Sequence, residues 1–363
     1  MANDKDAGGD IGKSRNKLVQ TRLTSGFTCY RASPPLTISP YFTTPVLESN
    51  QSNQSSKSIR YAHPERRALP KNQEPPTLHH TRSSGLLALV AADTKSLLPG
   101  ILLTTPHAPA DGRLYTKGDL PPLVPNACPD LNLTPIRVLN VDSIDAALKL
   151  STRHTEKDGA PRNEKPILIL NMANAYHPGG GWLGGALAQE EALCYRSSLS
   201  FTLKNRFYPI PSDGGLYSPT VVIIRHSMAN GHGLLDLNKP EQLPVVSIVS
   251  VAALRGPVIA KDHDGNERYK NIEDRTSMKQ KIRTVLRIAA KNGHRRLVLG
   301  ALGCGAFGNP REEVVKCWSE TLREHEFEGG WWEEIVFAVL DGGTSKGLGN
   351  FGTFLKGLDG LEV

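Results

Sequence analysis

The segment NMANAYHPGGGWLGGALAQEE, residues 171–191, decides how this chain is interpreted. It follows residues 166–170, a short aliphatic run that is typical of a buried parallel strand. Asn174 falls just beyond the carboxyl end of that strand, where open α/β sheets bind their ligands. The glycines at 179–181 permit positive φ angles and a close approach of the backbone to a ligand. The segment therefore predicts a binding site at a sheet edge.

The segment ends in Gln189, Glu190 and Glu191, directly before a helix predicted over residues 192–199. A glycine-rich turn ahead of an ordinary helix would account for part of this pattern, because the helix dipole favours acids in the first turn. The glycines together with the paired acids, after a strand that ends in an amide side chain, favour a functional site.

Three glycines, a seven-residue spacer and Gln-Glu-Glu resemble the signature of microbial-type poly(ADP-ribose) glycohydrolases, the bacterial and fungal branch of that family. The resemblance covers residues 134–358 and implies a macrodomain fold. It also implies hydrolysis of ribose–ribose O-glycosidic bonds in poly(ADP-ribose), with release of ADP-ribose, and a place in ADP-ribosylation and the DNA damage response. The charged stretch 261–275 and the long polar front segment depart from the compact bacterial members.

The resemblance implies a role for each residue of the signature. Glu191 matches the second Glu and is the expected general acid, which then acts as base toward water. Glu190 is expected to bind ribose hydroxyls and to raise the pKa of Glu191 by like-charge proximity. The residues expected to hold the distal ribose and nearby phosphate are Asn174, Gln189, Gly179, Gly180 and Gly181. His177 is interpreted as a turn-fixing residue.

Asp142 follows a predicted strand over residues 136–141. Macrodomains often carry an acid at this turn that accepts a hydrogen bond from the adenine amino group. A simple N-cap of the next helix explains Asp142 equally well.

A second glycine loop follows a strand predicted over residues 296–302, and a helix starts near Arg311. A strand, a glycine loop and a helix N-terminus together suit a diphosphate. The expected diphosphate ligands are the backbone N–H groups of Gly303, Gly305, Ala306, Gly308 and Asn309. The resemblance places Phe307 against the distal ribose, although a loop anchor packed in the core is an equal alternative.

Alternating strands and helices predict an α/β fold with a mixed, mainly parallel sheet flanked by helices on both faces. Residues 1–82 are predicted to be a disordered low-complexity tail, residues 83–133 a helical and irregular extension packing on the core, and residues 134–358 the catalytic domain. Within the extension, a helix over residues 84–98 is expected to end at Pro99. Residues 260–275 are expected to form a surface loop.

Composition narrows the class of protein. The net charge of +7 comes without a zinc-finger or RNA-recognition pattern, so no direct nucleic-acid binding is inferred. No apolar run approaches the ~20 residues of a membrane span, and the polar N-terminus argues against a secretory signal. Five scattered cysteines favour a reducing compartment. We expect an intracellular protein, nuclear or cytoplasmic, without metal, cofactor or membrane contact.

Two other functions remain open from the sequence. One is a non-catalytic macrodomain reader of ADP-ribose, and the other is a hydrolase of a different ADP-ribose derivative. A reader has no need of Gln-Glu-Glu, so the intact triplet favours the enzyme. Its expected partners are poly(ADP-ribose), ADP-ribose and ADP-ribosylated proteins.

Overall fold

The computed structural model describes residues 78–132, 135–158, 165–342 and 349–363. Its helices are α1 Leu78–Thr104, α2 Ser143–Asp158, α3 Gln189–Arg196, α4 Leu199–Thr202, α5 Ile272–Lys291, α6 Arg311–Leu322 and α7 Gly349–Leu358. Its strands are β1 Arg113–Tyr115, β2 Arg137–Leu139, β3 Leu168–Met172, β4 Gly215–Val222, β5 Val245–Val251, β6 Ile259–Lys261, β7 Glu267–Tyr269, β8 Arg296–Leu299 and β9 Glu334–Ala338. The predicted tail lies outside the described residues, except for residues 78–82, which begin α1.

Within the described residues, seven strands form one sheet in the order β1-β4-β5-β3-β8-β9-β2. The five strands from β5 to β2 are parallel to one another, whereas β1 and β4 pair antiparallel at one edge. The parallel strands therefore present all their carboxyl ends at the same edge. The predicted mixed, mainly parallel sheet is confirmed.

Alternating side chains of the parallel strands enter two separate hydrophobic clusters. Leu168 and Leu170 pack in one cluster with residues of α5, α6 and α7, whereas Ile169 packs in the other with residues of α1, α2 and α3. Each of these three side chains is at most 1% exposed. Burial on both faces explains why residues 168–170 of β3 are consecutively aliphatic rather than alternating with polar residues.

Helix α1 continues past Pro99, so the predicted end of this helix is wrong. Proline removes a backbone donor and disfavours a helix interior. Here Leu98 and Ile101, on either side of the proline, are buried against Val222, Ile224 and Leu243. Tertiary burial therefore outweighs the local helix-breaking signal.

The segment Ser84–Thr104 of α1 has the length and composition of a membrane span, with a mean hydropathy of 1.7. The expectation that no apolar run approaches this length is therefore wrong. The helix nevertheless buries Leu87 and Ala91 in the domain. Its Thr94 hydroxyl donates to Tyr195 O over 2.9 Å. We therefore assign α1 as a packed helix of the domain.

The prediction of a surface loop over residues 260–275 is wrong for most of these residues. Strands β6 and β7 form a hairpin with the register Ile259↔Tyr269, and α5 begins at Ile272. The sequence is polar because the hairpin faces solvent, except for Tyr269, which is 5% exposed.

We expect Thr94→Val to lower the free energy of unfolding by about 1–3 kcal/mol. The Thr94 hydroxyl is fully buried, and besides donating to Tyr195 O it accepts from Arg225 Nε at 3.0 Å. Valine keeps the shape of the side chain and removes both bonds. Urea denaturation measures the loss. Ser96→Ala, which removes an exposed bond to Asp93 O in the same helix, is the control and should change little.

Candidate active site

A gap opens between β3 and β8 at the carboxyl edge of the sheet. These strands pair only at Leu168↔Leu297 and Ile169↔Val298, whereas β3 stays paired with β5 as far as Met172↔Val251. The two predicted glycine loops follow β3 and β8. They therefore begin on opposite sides of this gap, as the sequence predicts.

Gln189 takes the place of the missing strand partner. Its Oε1 accepts from Met172 N at 2.9 Å, and its Nε2 donates to Leu170 O at 2.7 Å and to Ser143 Oγ at 3.3 Å. These backbone groups lie on the side of β3 that β8 has left. The amide thus satisfies the free strand edge and fixes the start of α3 there. The expected contact of Gln189 with ribose stays a prediction.

Both acids of the triplet are buried beside the first glycine loop. Glu190 is 3% exposed and accepts from Asn174 N at 2.7 Å and Asn171 Nδ2 at 3.3 Å. Glu191 is 9% exposed and accepts from Gly181 N at 2.9 Å and Ala188 N at 3.1 Å. Glu191 thereby ties together the two ends of the spacer, and it caps α3 by reaching back to the residue before the helix.

The first glycines make room for these acids rather than only for a ligand. Gly180 has φ +60°, and a Cβ there would lie 2.3 Å from Glu191 Oε1 and 3.1 Å from Glu190 Oε2. A Cβ on Gly179, at φ +73°, would lie 2.9 Å from Cys194 Sγ. The two carboxylates therefore approach the same point of the loop, although neighbouring helical residues diverge by about 100°.

Burial raises the pKa of Glu190 to about 8, and the charge of Glu191 adds to this shift. Hydrogen bonds from Asn174 N and Asn171 Nδ2 oppose it, because they stabilise the ionised form. A group with this pKa is mostly protonated at neutral pH. Glu190 therefore does not act mainly as the neighbouring negative charge that the sequence argument assumed.

Asn174 shapes the turn that leaves β3. Its Oδ1 accepts from Tyr176 N at 2.9 Å and His177 N at 3.1 Å, which is an Asx turn. His177 O accepts from Gly180 N at 2.9 Å, a backbone bond that closes the turn. The role expected of the His177 side chain stays a prediction. Within the described residues, Asn174 Nδ2 makes no hydrogen bond, and the side chain is half-buried. This donor is available to a ligand.

Asp142 caps α2, as one of its two predicted roles requires. Its Oδ1 accepts from Ile144 N at 2.8 Å and Asp145 N at 3.2 Å. The same oxygen pairs with Arg196, which is 2% exposed and also binds Asp145 Oδ1 at 2.6 Å. Arg196 thus joins the end of α3 to the start of α2. The contact of Asp142 with adenine stays a prediction.

The second loop is closed by Asn309, which is 4% exposed. Its backbone N donates to Gly303 O at 3.0 Å, and its Nδ2 donates to Leu254 O at 2.7 Å. Gly303 has φ +77°, and a Cβ there would lie 2.4 Å from Asn309 Nδ2. Gly308 N donates to Gly305 O at 2.9 Å. The N–H groups of Asn309 and Gly308 are therefore used inside the loop.

Three consecutive N–H groups of the second loop, at Gly305, Ala306 and Phe307, have no hydrogen-bond partner among the described residues. Gly305 and Ala306 are exposed, and Phe307 is half-buried outside the hydrophobic clusters. Burial raises the pKa of the Cys304 thiol, which disfavours the reactive thiolate form.

Several residues that sequence reasoning missed support the site. Asn171 donates a hydrogen bond to Glu190, and Arg196 forms an ion pair with Asp142. The buried hydroxyl of Tyr208 interacts electrostatically with Glu190. Tyr269 of the hairpin donates to Asn309 Oδ1 at 2.8 Å. Of these residues, only Asn171 could be found from the sequence, because it is a polar residue in the otherwise apolar strand β3. Among the described residues, no cluster of three or more His, Cys, Asp or Glu side chains suits a metal ion.

Comparisons with known proteins identify a similar family and similar structures. A family model described as microbial-type PARG, catalytic domain, matches residues 104–226. The structure of poly(ADP-ribose) glycohydrolase from Thermomonospora curvata is 27% identical, covers 75% of this chain and 99% of its own, and has a TM-score of 0.58. The resemblance to microbial-type poly(ADP-ribose) glycohydrolases is confirmed. The glycohydrolase enzyme class expected from the sequence is confirmed with it.

Further PARG structures are similar to this chain. The Thermomonospora curvata enzyme bound to the inhibitor ADP-HPD is 27% identical with a TM-score of 0.56, covering 75% of this chain and 99% of its own. The Deinococcus radiodurans PARG in complex with ADP-ribose is 27% identical with a TM-score of 0.53, covering 68% of this chain and 94% of its own. A search of curated proteins found no match.

We expect Gly180→Ala to lower the free energy of unfolding of this protein by about 2 kcal/mol or more. Alanine at φ +60° is strained, and its Cβ would overlap Glu191 Oε1. Thermal and urea denaturation measure the change. Gly184→Ala is the matched control in the same segment, because a Cβ there meets nothing within 4 Å. An equal loss in both variants would contradict the packing role of Gly180.

The raised pKa of Glu190 predicts a specific pH dependence of stability. Because the folded-state pKa lies above the unfolded value, Glu190 favours folding below pH 4.5, and this contribution is lost as pH rises to about 8. Relative to Glu190→Gln, the wild type should lose roughly 1.4 kcal/mol per pH unit in this window. Urea denaturation of both proteins between pH 5 and 8 measures the difference.

Glu324→Gln is the control for that titration. Arg283 and Lys279 lower the pKa of Glu324, so its titration falls below the window. The stability difference between wild type and Glu324→Gln should therefore stay flat from pH 5 to 8. A flat difference for Glu190→Gln as well would show that Glu190 ionises normally.

Proposed function

We propose that this protein hydrolyses the ribose–ribose O-glycosidic bonds of poly(ADP-ribose) and releases ADP-ribose, with Glu191 as general acid and base. The observation that carries the proposal is the pair of buried acids against Gly180, at the gap between β3 and β8. A glycosidic bond needs a proton on its leaving oxygen and a base for the attacking water. A carboxyl group held beside the sugar serves both steps in turn.

The donors around the gap suit a nucleotide diphosphate sugar. The free N–H groups of Gly305, Ala306 and Phe307 would hold the diphosphate at the second loop. The free Nδ2 of Asn174 would bind the distal ribose at the first loop. The ligands in similar structures support this class, because the Deinococcus radiodurans PARG binds ADP-ribose and the Thermomonospora curvata PARG binds ADP-HPD.

Burial and contacts favour Glu191 over Glu190 as the acid. Glu190 lies deeper, and two amide donors from β3 and its exit hold its carboxyl group. Glu191 is the more exposed of the two and is bonded to the backbone of the glycine loop itself. A ribose seated on that loop would meet Glu191 first. Glu190 would then contact ribose hydroxyls from below.

The bond changes balance without a cofactor. Glu191 gives its proton to the leaving ribose oxygen as the glycosidic bond breaks, and positive charge develops on the departing sugar. Water then attacks the anomeric carbon and returns a proton to Glu191. ADP-ribosylated proteins as partners, a nuclear or cytoplasmic location and a role in the DNA damage response are proposals of the same kind.

We expect Glu191→Gln to slow release of ADP-ribose from poly(ADP-ribose) by about 10²-fold or more while ADP-ribose still binds. Glutamine keeps the shape of the side chain but cannot transfer a proton. Product chromatography and calorimetric titration of the purified full chain measure the two properties.

Asp274→Asn is the matched control, because Asp274 is the third residue of α5, as Glu191 is of α3. Its turnover should stay close to wild type. Wild type that binds ADP-ribose but yields no product from polymer would favour the reader. Product from mono-ADP-ribosylated protein alone would favour the other hydrolase. Full turnover by Glu191→Gln would overturn the assignment of the acid.

A further inference from the structure

Asn171 is a polar side chain in the middle of the buried sheet. It is fully buried, on the central strand β3, between the aliphatic residues of the core and the site. Its Nδ2 donates to Glu190 Oε1 at 3.3 Å and to Ser250 Oγ of β5 at 3.0 Å. No other part of β3 places a polar side chain beside the paired acids, within the residues described.

The other end of the same amide is unsatisfied. Asn171 Oδ1 is buried and has no hydrogen-bond partner in the described part of the chain. Leaving a buried amide oxygen unpaired is unfavourable, because the oxygen loses its bond to water and gains none in return. Turning the amide over exchanges the two ends. Oδ1 would then face Ser250 Oγ and Glu190 Oε1. It can accept a hydrogen bond from the serine hydroxyl, which both donates and accepts, and from Glu190 when its carboxyl group is protonated.

We propose that Asn171 is a positioning residue whose amide serves Glu190 in both of its protonation states. Nδ2 donates a hydrogen bond to the carboxylate when Glu190 is ionised, and Oδ1 of the turned amide accepts a hydrogen bond from the carboxyl O–H when Glu190 is neutral. Ser250 holds the amide in either orientation by reversing its own hydroxyl. Only the effect of Asn171 on turnover rests on the proposed glycohydrolase function. Its hydrogen bonding to Glu190 does not.

The groups that face Glu190 are consistent with a site that holds a proton. Glu191 and Cys194 lie on its own helix, and Tyr208 approaches from the segment after α4. The hydroxyl of Tyr208 is buried without a partner among the described residues. The backbone N–H groups of Asn174 and Gly179 act on its carboxyl group as donors. Among the described residues, Asn171 is the side chain that hydrogen-bonds Glu190 Oε1, and its amide carries both a donor and an acceptor.

A neutral Glu190 has a consequence for the proposed reaction. When Glu191 gives its proton to the leaving oxygen, it becomes a carboxylate beside Glu190. If Glu190 stays protonated and donates its O–H hydrogen bond to Asn171 Oδ1, the two acids never carry adjacent buried charges during this step. The attacking water then returns a proton to Glu191, and Glu190 ends as it began.

The orientation of the amide can be followed in the wild-type full chain by NMR. We expect the side-chain ¹⁵N resonance of Asn171 and the carboxyl ¹³C resonance of Glu190 to change together, with one midpoint near pH 8. Glu190→Gln identifies the carboxyl resonance and should abolish the change at Asn171. An Asn171 amide that stays constant while Glu190 titrates overturns the proposal.

A variant tests the energetic part. Asn171→Leu keeps the size of the side chain and removes both bonds to Glu190. The bond to the ionised form is charge-assisted and about twice as strong as the bond to the neutral form, so the midpoint of Glu190 should rise by about one pH unit. Ser247→Ala is the control, because Ser247 is another fully buried serine of β5, bonded to Pro219 O at 2.6 Å. It should leave the midpoint unchanged. If Asn171→Leu does not fold, the wild-type titration decides alone.

Neither measurement requires turnover, so the two proposals fail separately. A shared midpoint in a protein that releases no ADP-ribose would refute the glycohydrolase function and keep the role of Asn171. An unshifted midpoint in folded Asn171→Leu would refute that role and leave the glycohydrolase function intact. In an active enzyme, Asn171→Leu should move the limb of the kcat/KM profile that reports Glu190, whereas a loss of stability alone would lower activity equally at every pH.

Discussion

The amide of Gln189 is the contact on which the rest of the site depends. It occupies the edge of β3 that β8 leaves free and pairs Met172 N and Leu170 O there. The same contact fixes the first residue of α3. The two following acids are then directed at Gly180 by the helix itself. The side chain of Gln189 therefore both stabilises the open edge of β3 and positions the two carboxylates that follow it.

Much of the fold follows from local sequence, because the buried parallel strands are aliphatic and turn residues punctuate them. The strands β3 and β8, their glycine loops and the helix at Arg311 were all predictable in this way. The continuation of α1 through Pro99 was not, because it depends on Leu98 and Ile101 packing against residues more than a hundred positions away. The polar hairpin of β6 and β7 was missed because its core contact is Tyr269 alone.

The candidate site shows the same division between residue type and environment. The position of Glu190 and Glu191 beside the glycines could be predicted, because spacing places them there. Which of the two acids is more deeply buried could not be predicted, because their burial depends on Asn171, Asn174 and the packing of α3. The sequence indicated that the first glycines let the backbone approach a ligand. It did not indicate that the absence of a Cβ at Gly180 also leaves room for two carboxylates of the protein's own chain.

Glu191 bonds each of its oxygens to a backbone N–H group, at Gly181 and at Ala188. A free glutamate gives up about 1.5–2 kcal/mol of rotamer entropy when it is immobilised. In this protein that loss of entropy occurs during folding, so a ligand that binds meets a carboxyl group that is already preorganised. Rigidity acquired in this way lowers the entropic barrier to any reaction in which the group takes part.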